Sequence, residues 1–170
     1  GIVEQVTALR PRPQVSLTTN GIGLARIATG LRAAGLDRIN VSLDTLDRAR
    51  FGELARRDRL ADVIDGLAAA AAAGLTPVKV NAVLMRGINS DEAPALLRWC
   101  LERGYQMRFI EQMPLDPQHG WSRAMMVTRE EILDSLTHAG FHLAALPGRG
   151  SAPAEEFAID GGPATVGIVG

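Results

Sequence analysis

Apolar positions along this chain switch between two periods. Residues 15–18, 39–43, 78–84 and 107–113 read as strands, with apolar and β-branched side chains at alternate positions. Each run carries polar residues near its C-terminal end. Between them lie stripes at helical spacing: Leu24, Ile27, Ala28 and Leu31; then Leu60, Val63, Ile64 and Leu67; then Leu96, Leu97, Cys100 and Leu101. Gly35, Gly74 and Gly104 follow these stripes, where a left-handed residue ends a helix. A short helix is predicted from Asp47, a good N-cap, and Asn89 or Ser90 is the expected cap of the third striped helix. Residues 2–9 read as the tail of another helix, cut off by the Arg10-Pro11-Arg12-Pro13 link.

The alternation of strand and helix predicts an α/β fold with parallel strands. Four βα units are about half of an eight-stranded barrel, and the polar strand ends would gather at one rim, where such folds bind ligands. The pattern then changes. Thr128-Arg129-Glu130-Glu131 is a capping box opening a helix that ends at Gly140. Residues 141–146, 156–159 and 164–169 follow, with Gly161-Gly162 expected as a hairpin turn. The expected division is residues 1–122 as parallel βα units and residues 123–170 as the start of a C-terminal subdomain with a small antiparallel sheet. A chain that starts at Gly1 and stops beside a strand reads as a piece of a larger architecture, and the end strands of half a barrel would expose edges that invite homodimers or aggregation.

Composition narrows the partners. The 170 residues carry a net charge of −1, and 46% are hydrophobic, so a packed core is expected and no basic field points to nucleic acid or an anionic membrane. No apolar run is long enough to span a bilayer and no signal peptide is evident, which makes a cytoplasmic setting the default. Cys100 is the single cysteine, which excludes an internal disulfide or a cysteine cage. Lys79 is the single lysine among 18 basic residues. Arginine replaces lysine poorly where a compact point charge is wanted, so this position draws notice.

Four segments carry a resemblance: Leu17-Thr18-Thr19-Asn20-Gly21, Ile39-Asn40-Val41-Ser42-Leu43-Asp44, Val78-Lys79-Val80-Asn81-Ala82-Val83-Leu84-Met85-Arg86-Gly87 and Arg108-Phe109-Ile110-Glu111-Gln112-Met113-Pro114. In this order and spacing the chain resembles the GTP 3′,8-cyclase family of radical S-adenosylmethionine enzymes. The resemblance implies a partial TIM-like barrel, roughly strands three to six. It also implies a lyase that cyclises GTP to 3′,8-cyclo-7,8-dihydro-GTP in the first step of molybdenum cofactor (molybdopterin) biosynthesis. The family uses S-adenosylmethionine and two [4Fe–4S] clusters held by two cysteine sets. Neither set is in this chain, nor is the family's Gly-Gly-Glu-Pro motif, so the chain alone is expected to be inactive. The alternative is a truncated, non-catalytic relative that keeps only a nucleotide-binding or protein-interaction role.

By the same resemblance, Thr18 and Lys79 are GTP contacts, and Ser42 and Met113 are S-adenosylmethionine contacts. No catalytic residue and no metal ligand is assigned. Each has a plainer reading beside it: Thr18 as a turn-stabilising hydroxyl before Asn20-Gly21, Ser42 as a structural hydrogen bonder, Lys79 on a surface edge strand, Met113 as core. In a strand, Asn40, Ser42 and Asp44 share one face, as do Lys79 and Asn81. Asp44 is expected to cap the following turn, Arg108 and Glu111 to form a structural pair, Cys100 to be a core thiol, and Arg56-Arg57-Asp58-Arg59 to be a solvated charge run. His119, His138 and His142 do not form a metal-ligand set. Gly21-Ile22-Gly23 opens a helix after a strand, but Arg26 stands where a dinucleotide fingerprint needs its third glycine, so that reading is rejected.

Overall fold

Strand and helix alternate through most of the computed structural model, which describes residues 1–113, 123–148 and 154–170. In chain order the elements are α1 (Ile2–Thr7), β1 (Ser16–Thr19), α2 (Leu24–Ala33), β2 (Arg38–Ser42), α3 (Arg48–Ala55), α4 (Leu60–Ala72), β3 (Val78–Val83), α5 (Ala93–Glu102), β4 (Gln106–Ile110), α6 (Arg129–His138), β5 (Leu143–Ala145), β6 (Glu155–Ile159) and β7 (Thr165–Val169). Short 3₁₀ turns lie at Ser90–Glu92 and Arg123–Met125. The expected loop at 114–120, with His119, lies outside the described residues.

The seven strands form one sheet in the order β1-β2-β3-β4-β7-β6-β5. β1 to β4 pair in parallel, as expected of βα units, and β7 joins β4 in parallel while β6 and β5 run antiparallel beyond it. The antiparallel part is therefore continuous with the parallel part: Met107–Ile110 pair with Val166–Val169. The hairpin turn sits one residue earlier than the glycine pair suggests. Asp160 and Gly161 both have positive φ, 50° and 67°, and the Gly162 N–H closes the turn on the Ile159 carbonyl at 2.9 Å.

One face of the sheet is apolar. Ile39, Val41, Val80, Ala82, Met107, Phe109, Val166 and Ile168 are buried, at 0–2% exposure, in a core shared with Leu24, Val63, Leu67, Leu96, Leu97, Cys100 and Ile132 from the helices. Gly66 on α4 shows how close that packing is. A Cβ there would lie 2.8 Å from the Gly21 carbonyl oxygen and 2.9 Å from Leu24 Cβ. Gly21 is confined likewise: φ is +78°, and a Cβ would lie 2.9 Å from Val41 and 3.0 Å from Val63. Gly21 of the strand-to-helix turn and Gly66 of α4 thus serve packing.

Two caps match the pattern. Asp47 accepts from the Arg50 N–H at 2.8 Å, and Thr128 with Glu131 forms the reciprocal capping box of α6. α5 differs: neither Asn89 nor Ser90 caps it. Asn89 is fully buried and engaged elsewhere, accepting from the Met85 N–H and donating to the Asp44 and Val83 carbonyls. A tertiary partner has taken the side chain that a local rule assigns to the helix.

Candidate functional site

The opposite face of the sheet is polar, and strand register arranges it in rows. Thr18, Asn40, Lys79 and Gln106 are register partners across β1 to β4. Two residues toward the C-terminal ends, Ser42, Asn81, Arg108, Gly167 and Glu156 form the next row across β2, β3, β4, β7 and β6. Neighbouring strands lie ~4.8 Å apart and the rows ~6.6 Å apart. Thr18 and Lys79 are then about 10 Å apart, and Ser42 is one row above them.

Thr18 is exposed, and its hydroxyl accepts from Asn40 Nδ2 at 3.1 Å. It does not hold the turn. That work falls to Thr19 and Asn20, whose side-chain oxygens accept from the Gly21 and Ile22 N–H groups at 3.2 and 3.1 Å. Lys79 is half-buried on an interior strand, not on an edge. Desolvation, more than the neighbouring Arg108 and Arg38, pulls its pKa down from the ordinary lysine value, while Glu156 opposes the shift. Neither the Lys79 ammonium nor the Arg108 guanidinium has an ion-pair or hydrogen-bond partner among the described residues. Arg108 does not pair with Glu111, which accepts from the Arg129 backbone N–H at the start of α6. Two basic side chains without ion-pair partners among the described residues thus stand on adjacent strands, concentrating positive charge locally although the chain's net charge is close to zero. Sequence reasoning gave Arg108 only a structural role; its alternation with the apolar Met107 and Phe109 placed it on the polar face of β4, but its register with Asn81 is visible only in the fold. In the second row, the buried Oδ1 of Asn81 has no hydrogen-bond partner among the described residues.

Ser42, exposed at the end of β2, lines a cavity of about 450 Å³ together with Asn20, Ile22, Asp44, Thr45, Phe51, Leu54, Ala55 and Arg57. Its wall is apolar on the α3 side and polar on the strand side, the mix typical of small-ligand pockets. Asp44 does not cap the following turn. Its Oδ1 accepts from the Val83 N–H at 2.8 Å, bridging β2 to β3, and burial raises its pKa above the ordinary aspartate value despite that bond. The turn is held by Thr45 and Glu92. The Thr45 hydroxyl donates to Glu92 Oε1 at 2.6 Å, the Leu46 N–H to Glu92 Oε2 at 2.9 Å, and Arg50 Nη1 to Oε1 at 2.8 Å.

Met113 lies past the end of β4 and is 53% exposed, so it is not a core residue; Met107 fills that role. The structure places Thr18, Ser42 and Lys79 on one polar face and Met113 at the same C-terminal end of the strands. The charge run is solvated in part: Arg48 pairs with Asp58 at 2.6–3.0 Å and Arg59 with Asp62, whereas Arg57 lies at the cavity.

The residues present fit a nucleotide or S-adenosyl ligand better than an iron–sulfur cluster. Cys100 is buried, its thiol pushed up to about 12 by desolvation, so it stays protonated. Among the described residues no group of three or more His, Cys, Asp or Glu could hold a metal ion, and no helix is long and apolar enough to cross a membrane.

The chain is 64% identical over 171 residues to a GTP 3′,8-cyclase of Streptomyces coelicolor, covering 99% of the chain and 50% of the relative. It is 55% identical over 171 residues to one of Mycobacterium sp. (strain KMS), covering 99% and 48%. With one of Mycobacterium marinum it shares 56% identity over 165 residues, covering 96% and 46%. The chain thus spans about half the length of the curated relatives it matches. In fold it is similar to coproporphyrinogen III oxidase (HemN) from Escherichia coli, a radical SAM enzyme, with a TM-score of 0.52 at 16% identity over 83% of this chain and 37% of that one. The family model described as the Radical SAM superfamily matches residues 2–100, more than half of the sequence, and the chain belongs to that superfamily.

Proposed function

We propose that this chain forms one binding wall of a GTP 3′,8-cyclase, with GTP held by Thr18 and Lys79 and S-adenosylmethionine by Ser42 and Met113. The observation that carries the reading is the polar sheet face, where, among the described residues, the Lys79 ammonium in the row of Thr18 and the Ser42 hydroxyl in the next row, beside a cavity, have no partner. Relatives that match nearly the whole chain bear that enzyme's name.

The roles follow from the side chains. Lys79 supplies a charge-assisted contact to a phosphate oxygen, and Arg108 on the neighbouring strand adds a second cation with planar, paired donors. The Thr18 hydroxyl, fixed by Asn40, offers a hydrogen to a nucleotide oxygen. Ser42 offers the same to a ribose hydroxyl, and the exposed Met113 thioether presents a soft surface to an adenine ring. S-adenosylmethionine, once cleaved reductively, supplies the radical that begins the cyclisation. The cluster ligands that this requires are not in the chain, which holds one cysteine, and the chain by itself is proposed to be inactive. Residues 1–122 are proposed as the barrel portion and 123–170 as the start of the C-terminal part, a reading supported by the end of the strand–helix alternation after β4 and by the antiparallel pairing of β5, β6 and β7. A cytoplasmic setting, with neither nucleic acid nor membrane as partner, goes with this reading.

The test is ligand-specific. Lys79→Ala in the full-length protein is expected to weaken GTP binding by about ten- to a hundredfold, the range of a hydrogen bond to a charged group, and to leave S-adenosylmethionine affinity unchanged. Equal loss of both affinities, or of neither, would refute the assignment. Absence of cyclised product from the anaerobically reconstituted full-length protein would favour the non-catalytic reading.

A further inference from the structure

Gly167 stands in the middle of β7, buried, between β4 and β6. Its register partners on the polar face are Arg108 on β4 and Glu156 on β6. Glycine weakens a strand interior, and there it often marks the close approach of another group. The backbone does not call for glycine at this position, because its φ lies outside the left-handed region. The demand is for space. A Cβ there would lie 3.1 Å from Arg108 Cγ, 3.4 Å from Ala154 Cβ and 3.7 Å from Arg108 Nε. Thr165 and Val169, which share that face of β7, both carry side chains.

Atoms near both ends of the Arg108 stem, Cγ and Nε, pass within 4 Å of the point where a Cβ would stand. The side chain therefore lies flat across β7 and does not stand off the sheet. Glu156, on the far side of Gly167, makes no ion pair among the described residues, so the guanidinium is carried along the row and left unengaged. With Lys79 on β3, this spreads positive charge from β3 to β7, which suits a chain of phosphates better than a single one. A long side chain already confined to one path loses less freedom when it takes an anion.

We propose that Gly167 is a positioning residue for GTP: the gap it leaves in β7 holds the Arg108 side chain flat and aims its guanidinium at the phosphates. The inference rests on the reading of Arg108 as a phosphate contact, and the experiment separates the two. In the full-length, cluster-loaded protein, equilibrium affinities are measured for GTP, for guanosine, which lacks the phosphates, and for S-adenosylmethionine. Arg108→Ala is expected to weaken GTP about ten- to a hundredfold, the range of a hydrogen bond to a charged group, and to leave the other two unchanged. Gly167→Ala pushes on Cγ, near the root of the stem, so the displacement grows toward the guanidinium. It is expected to weaken GTP about tenfold and to spare guanosine and S-adenosylmethionine. In the Arg108→Ala background the same change is expected to alter GTP affinity by less than about twofold, because the side chain it displaces is gone. A gap needed only for folding would lower Tm without depending on phosphate or on Arg108. Should Gly167→Ala fail to fold, the double variant is expected to fold, since removing the stem frees the space; failure of both overturns the proposal. Equal loss with and without Arg108, equal loss of GTP and guanosine, or no loss at all also overturns it. Unchanged GTP affinity in Arg108→Ala overturns the phosphate reading of Arg108 instead.

Discussion

Glu92 offers a sharp test of how the rim is held. It is 9% exposed, yet it is a carboxylate, and it accepts three donors from the β2–α3 junction: the Thr45 hydroxyl, the Leu46 N–H and Arg50 Nη1. Replacing it with alanine strands two donors of the junction in a buried place. Thr45 is itself fully buried. Each buried group left without a partner costs about 1–3 kcal/mol, so Glu92→Ala is expected to cost about 2–4 kcal/mol. For a chain of 170 residues that corresponds to a fall in Tm of about 5–15 °C. Arg50 should matter far less. It is partly exposed, and its second partner, Asp91, is 66% exposed, so solvent and salt screen that end of the latch. Urea unfolding of the dilute chain gives the free energies, and amide exchange at Leu46 gives a local reading: Glu92→Ala removes its protection and Arg50→Ala keeps it. If Arg50→Ala costs as much as Glu92→Ala, or if Leu46 stays protected without Glu92, the junction is held by the surface ion pair and the reasoning is wrong.

Gly66→Ala gains helix propensity but places a Cβ 2.8 Å from the Gly21 carbonyl oxygen; overpacking costs about 1–3 kcal/mol, so thermal unfolding should show a net loss, and a more stable variant would contradict the packing. Asp44 has a folded-state pKa raised by burial, so the folded state holds its proton more tightly and its stabilising contribution is present at acid pH and lost as pH rises through that raised pKa. Asp44→Asn, which keeps an acceptor for the Val83 N–H, should therefore stabilise the chain at neutral pH, with the gain shrinking toward pH ~4, near the ordinary aspartate value; a gain that grows on acidification would reverse the sign. Expressed alone, the chain exposes β1 and β5 as the outer strands of its sheet and is expected to associate as its concentration rises in light scattering. A monodisperse, cooperatively unfolding monomer would contradict this.

Strands and helices were legible wherever the local rule had no rival. The apolar stripes, the Asp47 and Thr128 caps and the positive φ of Gly35 and Gly74 all agree with the sequence pattern. The misses share a cause. Asn89, Asp44 and Glu111 are polar residues beside turns, and local reasoning gave each a local partner. In the fold each bonds to a segment distant in sequence or to a strand end: Asn89 to the Asp44 carbonyl, Asp44 to Val83, Glu111 to Arg129. Nothing in the order of residues announces such partners. The β4–β7 pairing was hidden for the same reason, because a long-range register leaves no local signature. Lys79 and Ser42 were legible as members of one strand face, but the row that joins Thr18 to Lys79 required the register of three strands. Arg57 was obscured by its neighbours: in a run of charges, only tertiary structure shows which ones are already paired.

A parallel sheet usually has both faces covered, because crossover helices lie on each side or the sheet closes on itself. Here α2, α4, α5 and α6 cover one face with the apolar core, and the other presents Thr18, Asn40, Lys79, Asn81 and Arg108. Such a face is too polar to be a second hydrophobic layer, and Lys79, Arg108 and the Asn81 oxygen lack partners within it. When such a sheet closes into a barrel this face turns inward, and ligands are met at the C-terminal ends of its strands. The two rows lie only about two residues apart along the strands, ~6.6 Å. Ligands bound to them would be in contact, not merely near. The boundary between the rows is then the most consequential part of the wall. Lys79 in the first row and Ser42 in the second should affect one ligand each, whereas Asn40 and Asn81, one in each row on β2 and β3, are neighbours across the boundary and are placed to influence both.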